Sequence, residues 1–391
     1  MIKLGIVVQR YGNEVVGGSE TLARQVAERL NNSGFDVSVF TTTAMDYITW
    51  KNEFKRGDSI LKGVNIHRFP VEKERDIKQF DEFSESFFRQ PALQREQDEK
   101  EWLLRQGPYS PELIDTLQKR QGEFDLFLFF TYLYYPTIEG LKIIEKRCAL
   151  FPTGHDEPPI YLDMMKHVFQ KPNTLFFLTA GEMDFVQRTF PGSNRRVLVR
   201  TGIDFNDTVT PQRFQHGYLQ YAPYMLYAGR IEKGKGLEKV FDAFREIKKH
   251  DLVDLVLIGK QLMDIPREEG IRYLGFLPEE DKLSAFRGAA ASVQPSPLES
   301  LSITTLESFS QQTPVLVNGK SAVLCEHVNV SGGGFAYNDT DDFIRCFREL
   351  LKKPALRRKM GLNGYEYARK YYSWDVVIDQ LGSELRKLVS R

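Results

Sequence analysis

Residues 224–260 read YMLYAGRIEKGKGLEKVFDAFREIKKHDLVDLVLIGK, and this stretch decides the fold. A short apolar run ends at Gly229-Arg230, a helix follows from Leu237 to Lys249, and a second apolar run, DLVLIG, comes after it. Strand, helix, strand in this rhythm is the unit of a parallel sheet covered by helices. The rhythm continues through IRYLGF, ASVQP, a helix from Ser302 to Gln311, and TPVLVN. Upstream, the same alternation has already run once, with strands expected at Leu4–Val8, Val37–Thr41, Asn65–Phe69, Leu126–Phe130, Ala149–Pro152, Leu175–Leu178 and Val197–Arg200. The chain therefore starts an α/β fold twice, and 391 residues suit two domains of ordinary size.

Between the two series lies TGIDFNDTVTPQRFQHGYLQYAP, with Pro, Gly and polar residues and no apolar period, so the boundary is expected within 206–223. This predicts a first domain over 1–205 and a second over 206–372. The last helix, Trp374–Ser390, follows a break at Tyr372-Ser373 and is expected to return to the first domain, over 373–391. The charged segment 72–121, with Phe80, Phe83, Phe87 and Phe88, breaks the rhythm and reads as inserted helices.

Fifty-three Lys and Arg balance fifty-three Asp and Glu, so no general field draws the chain to nucleic acid or anionic lipid, and an anionic ligand must be held by placed groups. Cys148, Cys325 and Cys346 are far apart with no CxxC, which indicates neither a disulfide framework nor a zinc site and fits a reducing cytosol. The opening MIKLGIVVQRYGNE reads as a strand rather than a signal, and no run approaches 18 apolar residues.

In open parallel sheets ligands sit beyond the carboxyl ends of the strands, so the residues there carry the chemistry. After the first strand, Gly17 and Gly18 let the backbone approach a ligand, and Ser19 is expected to cap a helix whose N-terminus favours anions. After Ala149–Pro152 comes Thr153-Gly154-His155-Asp156-Glu157, where His155 faces a ligand or is satisfied within a turn. Histidines 67, 167, 216, 250 and 327 are read as structural. In the second series Arg230 can grip phosphate oxygens as a fork while Lys235, with Lys233 as its competitor, supplies a point charge.

The densest pattern is PSPLESLSITTLE, residues 295–307, where Glu299 and Glu307 stand eight positions apart. At 1.5 Å per residue they lie up to about 12 Å apart, enough to reach both ends of a nucleotide sugar. Carboxylates suit paired hydroxyls, Glu307 for ribose and Glu299 for the sugar, and the N–H groups around Leu301 and Ser302 can meet a diphosphate. Asp339-Thr340-Asp341-Asp342 contains a DxD, but it directly precedes a helix over Phe343–Leu351 and reads as capping, not as a metal site.

Taken in order, Gly17-Gly18-Ser19-Glu20, Thr201-Gly202-Ile203-Asp204, Gly229-Arg230 with Lys235-Gly236, Gly275-Phe276-Leu277, Pro295-Ser296, Glu299-x7-Glu307, Thr313-Pro314-Val315 and Tyr372-Ser373-Trp374 resemble a retaining GT-B glycosyltransferase of family four, the glycosyl transferases group 1. The resemblance covers nearly the whole chain. It implies two Rossmann-like, doubly wound domains facing a cleft, with the nucleotide on the second and the acceptor on the first. By it, Arg230 and Lys235 neutralise the diphosphate, Glu307 holds ribose, Glu299 meets the donor sugar, Gly17 and Gly18 lie near phosphate or sugar, Gly275 and Leu277 bracket the base, and His155 stands beside the sugar.

The resemblance also implies a metal-independent transfer with retention, without cofactor. The donor is a UDP-sugar, UDP-glucose first, and the acceptor a glycan or lipid-linked molecule in cell-surface polysaccharide or glycolipid synthesis. A cytoplasmic location follows, with no nucleic-acid partner. Phe83, Phe87 and Phe88 among basic residues raise peripheral contact with the membrane surface, set against their packing inside the insert. Ser300-Leu301-Ser302 departs from the family's glycine-aromatic-glycine, and Gly319-Lys320-Ser321 is a further loop that could touch ligand. The competing classes are a nucleotide-sugar epimerase or hydrolase on the same fold and a non-catalytic binding subunit.

Overall fold

A computed structural model describes residues 1–91, 95, 98–218, 223–299 and 301–390. It divides into two α/β units, Met1–Arg200 with Ile378–Arg391, and Thr201–Val377.

The first unit holds strands β1 (Ile2–Val7), β2 (Phe35–Thr42), β3 (Gly57–Leu61), β4 (Val64–Phe69), β5 (Leu126–Phe130), β6 (Arg147–Phe151), β7 (Thr174–Phe177) and β8 (Arg195–Leu198). Its helices are α1 (Gly18–Asn32), α2 (Ile77–Arg89), α3 (Glu99–Gln106), α4 (Pro111–Arg120), α5 (Tyr135–Ile143), α6 (Met164–Gln170) and α7 (Ala180–Thr189). The sheet order is β3-β4-β2-β1-β5-β6-β7-β8, parallel except for the β3–β4 pair. Strand β5, LFLFF, is buried at every position, as a strand covered on both faces must be. Gly5, paired with Phe127, leaves room for that ring: a Cβ would lie 2.4 Å from it.

The second unit holds β9 (Tyr224–Ala228), β10 (Asp254–Ile258), β11 (Ile271–Tyr273), β12 (Ala291–Gln294), β13 (Val315–Asn318) and β14 (Gly334–Tyr337), all parallel, in the order β11-β10-β9-β12-β13-β14. Its helices are α8 (Pro211–Tyr218), α9 (Leu237–Lys248), α10 (Glu279–Gly288), α11 (Ile303–Ser310), α12 (Ala322–Ser331), α13 (Thr340–Lys352) and α14 (Pro354–Tyr372). Helix α15 (Trp374–Ser390) starts in this unit and continues in the first, where Glu384 pairs with Arg195 at 2.7 Å and Gln380 donates to the Leu198 carbonyl.

Several expectations change. The stretch read as a featureless linker contains α8, anchored by buried Phe214, whose N–H donates to Ser284 Oγ at 2.9 Å; residues 219–222 lie outside the described residues. The division falls at Arg200–Thr201 because Ile203 donates to the Tyr372 carbonyl at 2.7 Å and Gly202 lies under Trp374, where a Cβ would come within 2.1 Å of the ring. The 72–121 segment is helical, but its aromatics belong to the core of the first unit: Phe80, Phe87 and Trp102 are buried and Phe83 and Phe88 pack against them. The feature that raised a membrane-facing surface is thus turned inward. Among the described residues no helix is long and apolar enough to cross a membrane.

Candidate active site

In the second sheet chain order reverses at β9, with β10 on one side and β12 on the other. Such a switch point leaves a crevice at the carboxyl ends of the two strands. The loops leaving β9 and β12 carry Arg230, Lys235 and Glu299. Gly236 brings them together: its backbone is left-handed, φ +81°, and a Cβ there would lie 2.5 Å from the Pro295 carbonyl oxygen. The resulting approach places Lys235 Nζ 2.8 Å from Glu299 Oε1. Asn318 Nδ2, at the end of β13, donates to the same Pro295 carbonyl at 2.8 Å. Arg230 is largely exposed and meets Glu232 at 3.1 Å, while its carbonyl accepts the Tyr227 hydroxyl at 2.7 Å. Lys233, the competing lysine, is exposed.

Ser302 heads α11 in a left-handed conformation, φ 60° and ψ 73°, unusual without a glycine. Its hydroxyl shares a 2.8 Å hydrogen bond with Thr305 Oγ1 and caps nothing. The Leu301 carbonyl accepts from His327 Nε2 at 2.9 Å, and Nδ1 of that buried ring meets the Tyr367 hydroxyl at 3.1 Å. A trans peptide directs its N–H opposite to its C=O, so the Ser302 N–H points away from His327. His327 therefore supports this loop, a role no local pattern around it suggests. The Ser300 part of the expected phosphate cradle lies outside the described residues.

Glu307 sits in α11 as expected, and the residue answering it comes from α10: Lys282 Nζ lies 2.9 Å from Glu307 Oε1 and 2.9 Å from Glu279 Oε2. Burial raises the Glu307 carboxyl above its ordinary range, and the Lys282 ammonium pulls it back. Gly275 and Leu277 leave β11 on the far side of β10. Gly259 N donates to the Gly275 carbonyl at 2.8 Å and Gly229 N to the Ile258 carbonyl at 2.9 Å. A Cβ on Gly259 would meet the Gly229 oxygen at 2.1 Å, so three strand ends close up in a bare backbone rung. Leu277 packs against the apolar cluster that includes Ile258 and Phe286, and Phe276 is 77% exposed.

In the first unit, Gly17 is the extended residue that precedes α1, and Ser19 lies inside the helix, so the expected Ser19 cap is wrong. The Ser19 hydroxyl instead donates to Glu20 Oε2 at 2.9 Å. Glu20 is buried against Arg10, with Nε 2.9 Å and Nη2 2.5 Å from Oε1, and Gln9 donates to the same oxygen at 2.8 Å. This pair explains Gly17, whose Cβ would come within 2.2 Å of Glu20. At Gly18 a Cβ would meet nothing within 4 Å, so that side of the loop is open. His155 is exposed after β6, preceded by Thr153 at φ 50° and by Gly154, whose N–H donates to Glu182 Oε1 at 2.8 Å.

Asp339 caps α13 by accepting the Asp342 N–H at 2.8 Å, and Asp342 pairs with Arg345. Among the described residues no cluster of three or more His, Cys, Asp or Glu could hold a metal ion.

Residues 209–367 match the family model of glycosyl transferases group 1. The chain is 22% identical over 257 residues to alpha-1,3/1,6-mannosyltransferase ALG2 of Dictyostelium discoideum, covering 59% of this chain and 58% of that protein. It is 28% identical over 176 residues to O-antigen chain mannosyltransferase B of Escherichia coli, covering 42% and 45%. The chain spans about half the length of the curated relatives it matches. Among solved structures it is similar to sucrose-phosphate synthase of Thermosynechococcus elongatus, with TM-score 0.70, 16% identity and 100% of both chains covered. Anabaena HepE in complex with UDP and glucose superposes with TM-score 0.68 at 14% identity, over 99% of this chain and 100% of that one.

Proposed function

We propose that the chain, which has the GT-B fold and whose residues 209–367 match the family model of glycosyl transferases group 1, is a glycosyltransferase that moves a hexose, with retention, from a nucleotide diphosphate sugar to a glycan or lipid-linked acceptor in cell-surface polysaccharide or glycolipid synthesis, in the cytoplasm. The observation that carries this reading is the Lys235–Glu299 pair at the switch point of the second sheet, beside Arg230 and the head of α11. An arriving diphosphate competes with Glu299 for Lys235. It takes the ammonium and the Arg230 fork, and Glu299 is freed for the sugar hydroxyls. Glu307 holds ribose, the N–H groups from Leu301 and Ser302 onward meet phosphate, and Gly275 to Leu277 flank the base. Gly17, Gly18 and His155 serve the sugar and acceptor side of the reaction.

In the step itself the bond from the anomeric carbon to the phosphate oxygen breaks while the acceptor oxygen bonds to that carbon on the same face. The acceptor proton passes to the departing phosphate oxygen. Negative charge grows on the phosphate, where fixed cations stabilise it most. In this reading the charge falls to protein groups, Asp339 of the DxD being engaged in capping α13, and chelation with EDTA is expected to leave transfer unchanged. UDP-glucose is the first donor to try, since HepE has been captured with it; the mannosyltransferase names among the relatives make a mannosyl donor the second.

A thermal-shift panel of UDP, GDP and ADP sugars tests the reading, because a ligand that binds only the folded state raises the melting temperature. One base class should stabilise the protein, and Arg230→Ala and Glu307→Ala should each lose most of that shift. Shifts equal to wild type in both variants would remove these residues from the site. Donor turnover without a glycosyl product would favour the epimerase or hydrolase class instead.

Lys282→Met offers a pH-dependent check. Without the ammonium, burial and the nearby Glu279 charge both act to raise Glu307, and its carboxyl protonates at higher pH. UDP affinity measured by calorimetry should therefore fall off on the acid side at a higher pH than in wild type; an unchanged profile would mean that Glu307 does not meet the nucleotide as a carboxylate.

A further inference from the structure

The loop bearing His155 has a carboxylate beneath it that no part of the proposed reaction uses. Glu182 lies in the first turn of α7, where Thr179 Oγ1 accepts its N–H at 3.1 Å. Its Oε1 accepts the Gly154 N–H at 2.8 Å, its Oε2 accepts the Leu178 N–H at 3.2 Å, and the Thr153 backbone is a third donor. Thr153 holds φ 50°, a conformation a β-branched residue adopts only when its surroundings impose it. Gly154 is buried, and a Cβ there would press on Ile160 at 3.3 Å. One side chain thus ties the end of β6 to the start of α7, immediately before His155.

We propose that Glu182 is a positioning residue, whose carboxylate fixes the Thr153–Gly154 backbone and so holds His155 in the orientation that sugar transfer requires. This rests on the reading of His155 as a residue of the reaction. A carboxylate can accept from all three N–H groups; once protonated, one oxygen carries a hydrogen of its own and a backbone N–H loses its acceptor. Burial, opposed by the three backbone donors, pushes the Glu182 carboxyl up to about 7. No charged side chain is among the groups that shift it. The ionisable groups on the loop itself are His155, Asp156, tied to Tyr161 at 2.7 Å, and Glu157, tied to Tyr132 at 2.7 Å; on α7, Asp184 and Arg188 are exposed. The clamp is therefore closed above neutrality and released as pH falls through it.

The test follows the Gly154 amide by proton–nitrogen correlation spectra of labelled full-length protein from pH 5.5 to 8.5. Its proton resonance should titrate with a midpoint near 7, should cease to do so in Glu182→Gln, and should keep the same midpoint in His155→Gln. In transfer assays Glu182→Gln should lower kcat at least tenfold, leave the dissociation constant of the nucleotide within twofold, and lose the acid limb near neutral pH. A Gly154 amide that does not titrate, a titration that vanishes with His155, or a Glu182→Gln enzyme with wild-type kcat and acid limb would each overturn the proposal. The amide titration needs no turnover, so a wild type that transfers no sugar would sink the proposed function while the spectra still decide whether the clamp exists.

Discussion

Lys235→Ala is expected to lower kcat/KM by a factor of roughly 10² to 10³, the scale set by removing one preorganised donor from a developing negative charge, about 3–4 kcal/mol. The substitution does two things at once. It removes the ammonium from the leaving phosphate, and it leaves the Glu299 carboxylate without its 2.8 Å partner, facing an incoming dianion. The second effect is repulsive and acts in the ground state as well, so nucleotide affinity should fall along with kcat. Glu299→Gln added to Lys235→Ala should restore part of that affinity without restoring kcat, a coupling that a double-mutant cycle measures directly. Lys233→Ala, at an exposed position on the same loop, should cost less than twofold. Equal losses in the two single lysine variants would mean that a diffuse basic loop, not a placed ammonium, meets the phosphate.

Glu20→Ala should be the most destabilising of the substitutions considered. Arg10 is 3% exposed and its Nε and Nη2 both turn to Glu20 Oε1. Deleting one partner of a buried pair costs about 3–5 kcal/mol because the other charge is left unanswered. In a unit of this size that lowers the melting temperature by roughly 10 °C. The Met45 carbonyl, accepting from Arg10 Nη1 at 2.8 Å, and the rings of Tyr47 and Trp50 nearby soften the loss without replacing a countercharge. Arg10→Leu combined with Glu20→Leu should melt above Glu20→Ala alone, since an apolar replacement leaves no buried charge. Gly17→Ala should act in the same direction as Glu20→Ala, its Cβ displacing the carboxylate by steric contact. A melting curve for Glu20→Ala that overlays wild type would show that Arg10 finds another partner.

The elements that declared themselves in the sequence were those with uninterrupted apolar runs: β5 occupies Leu126–Phe130 as read, and α15 occupies Trp374–Ser390 as read. Strand β3 was missed because it is an edge strand with every residue but the last exposed, so burial imposes no alternation on it. Strand β14 is four residues long and opens on the last of three consecutive glycines, and Phe214 is the one fully buried residue of α8. The site was legible in residue type more than in partnership. Arg230, Lys235, Glu299 and Glu307 all stand at or near the carboxyl edge, but Lys282 reaches Glu307 from a preceding helix and His327 reaches Leu301 from a later one. Such pairings are set by how helices pack, which no local window contains. Gly259 was overlooked for a related reason: its necessity lies in the neighbouring strand's Gly229 oxygen and not in its own flanks.

Helix α15 also bears on how the molecule is made. The first unit counts Ile378–Arg391 among its own residues, and Glu384, Gln380 and Arg386 bond to Arg195, Leu198 and Ser33. A ribosome adding roughly 5–20 residues per second releases the rest of that unit many seconds before these last turns, with the entire second unit translated in between. During that interval Phe35, which Gly382 will later cover, has no lid, and the nascent first unit presents an apolar seam to whatever chaperone or neighbouring chain is at hand. The first unit is thus completed only after the second has been made.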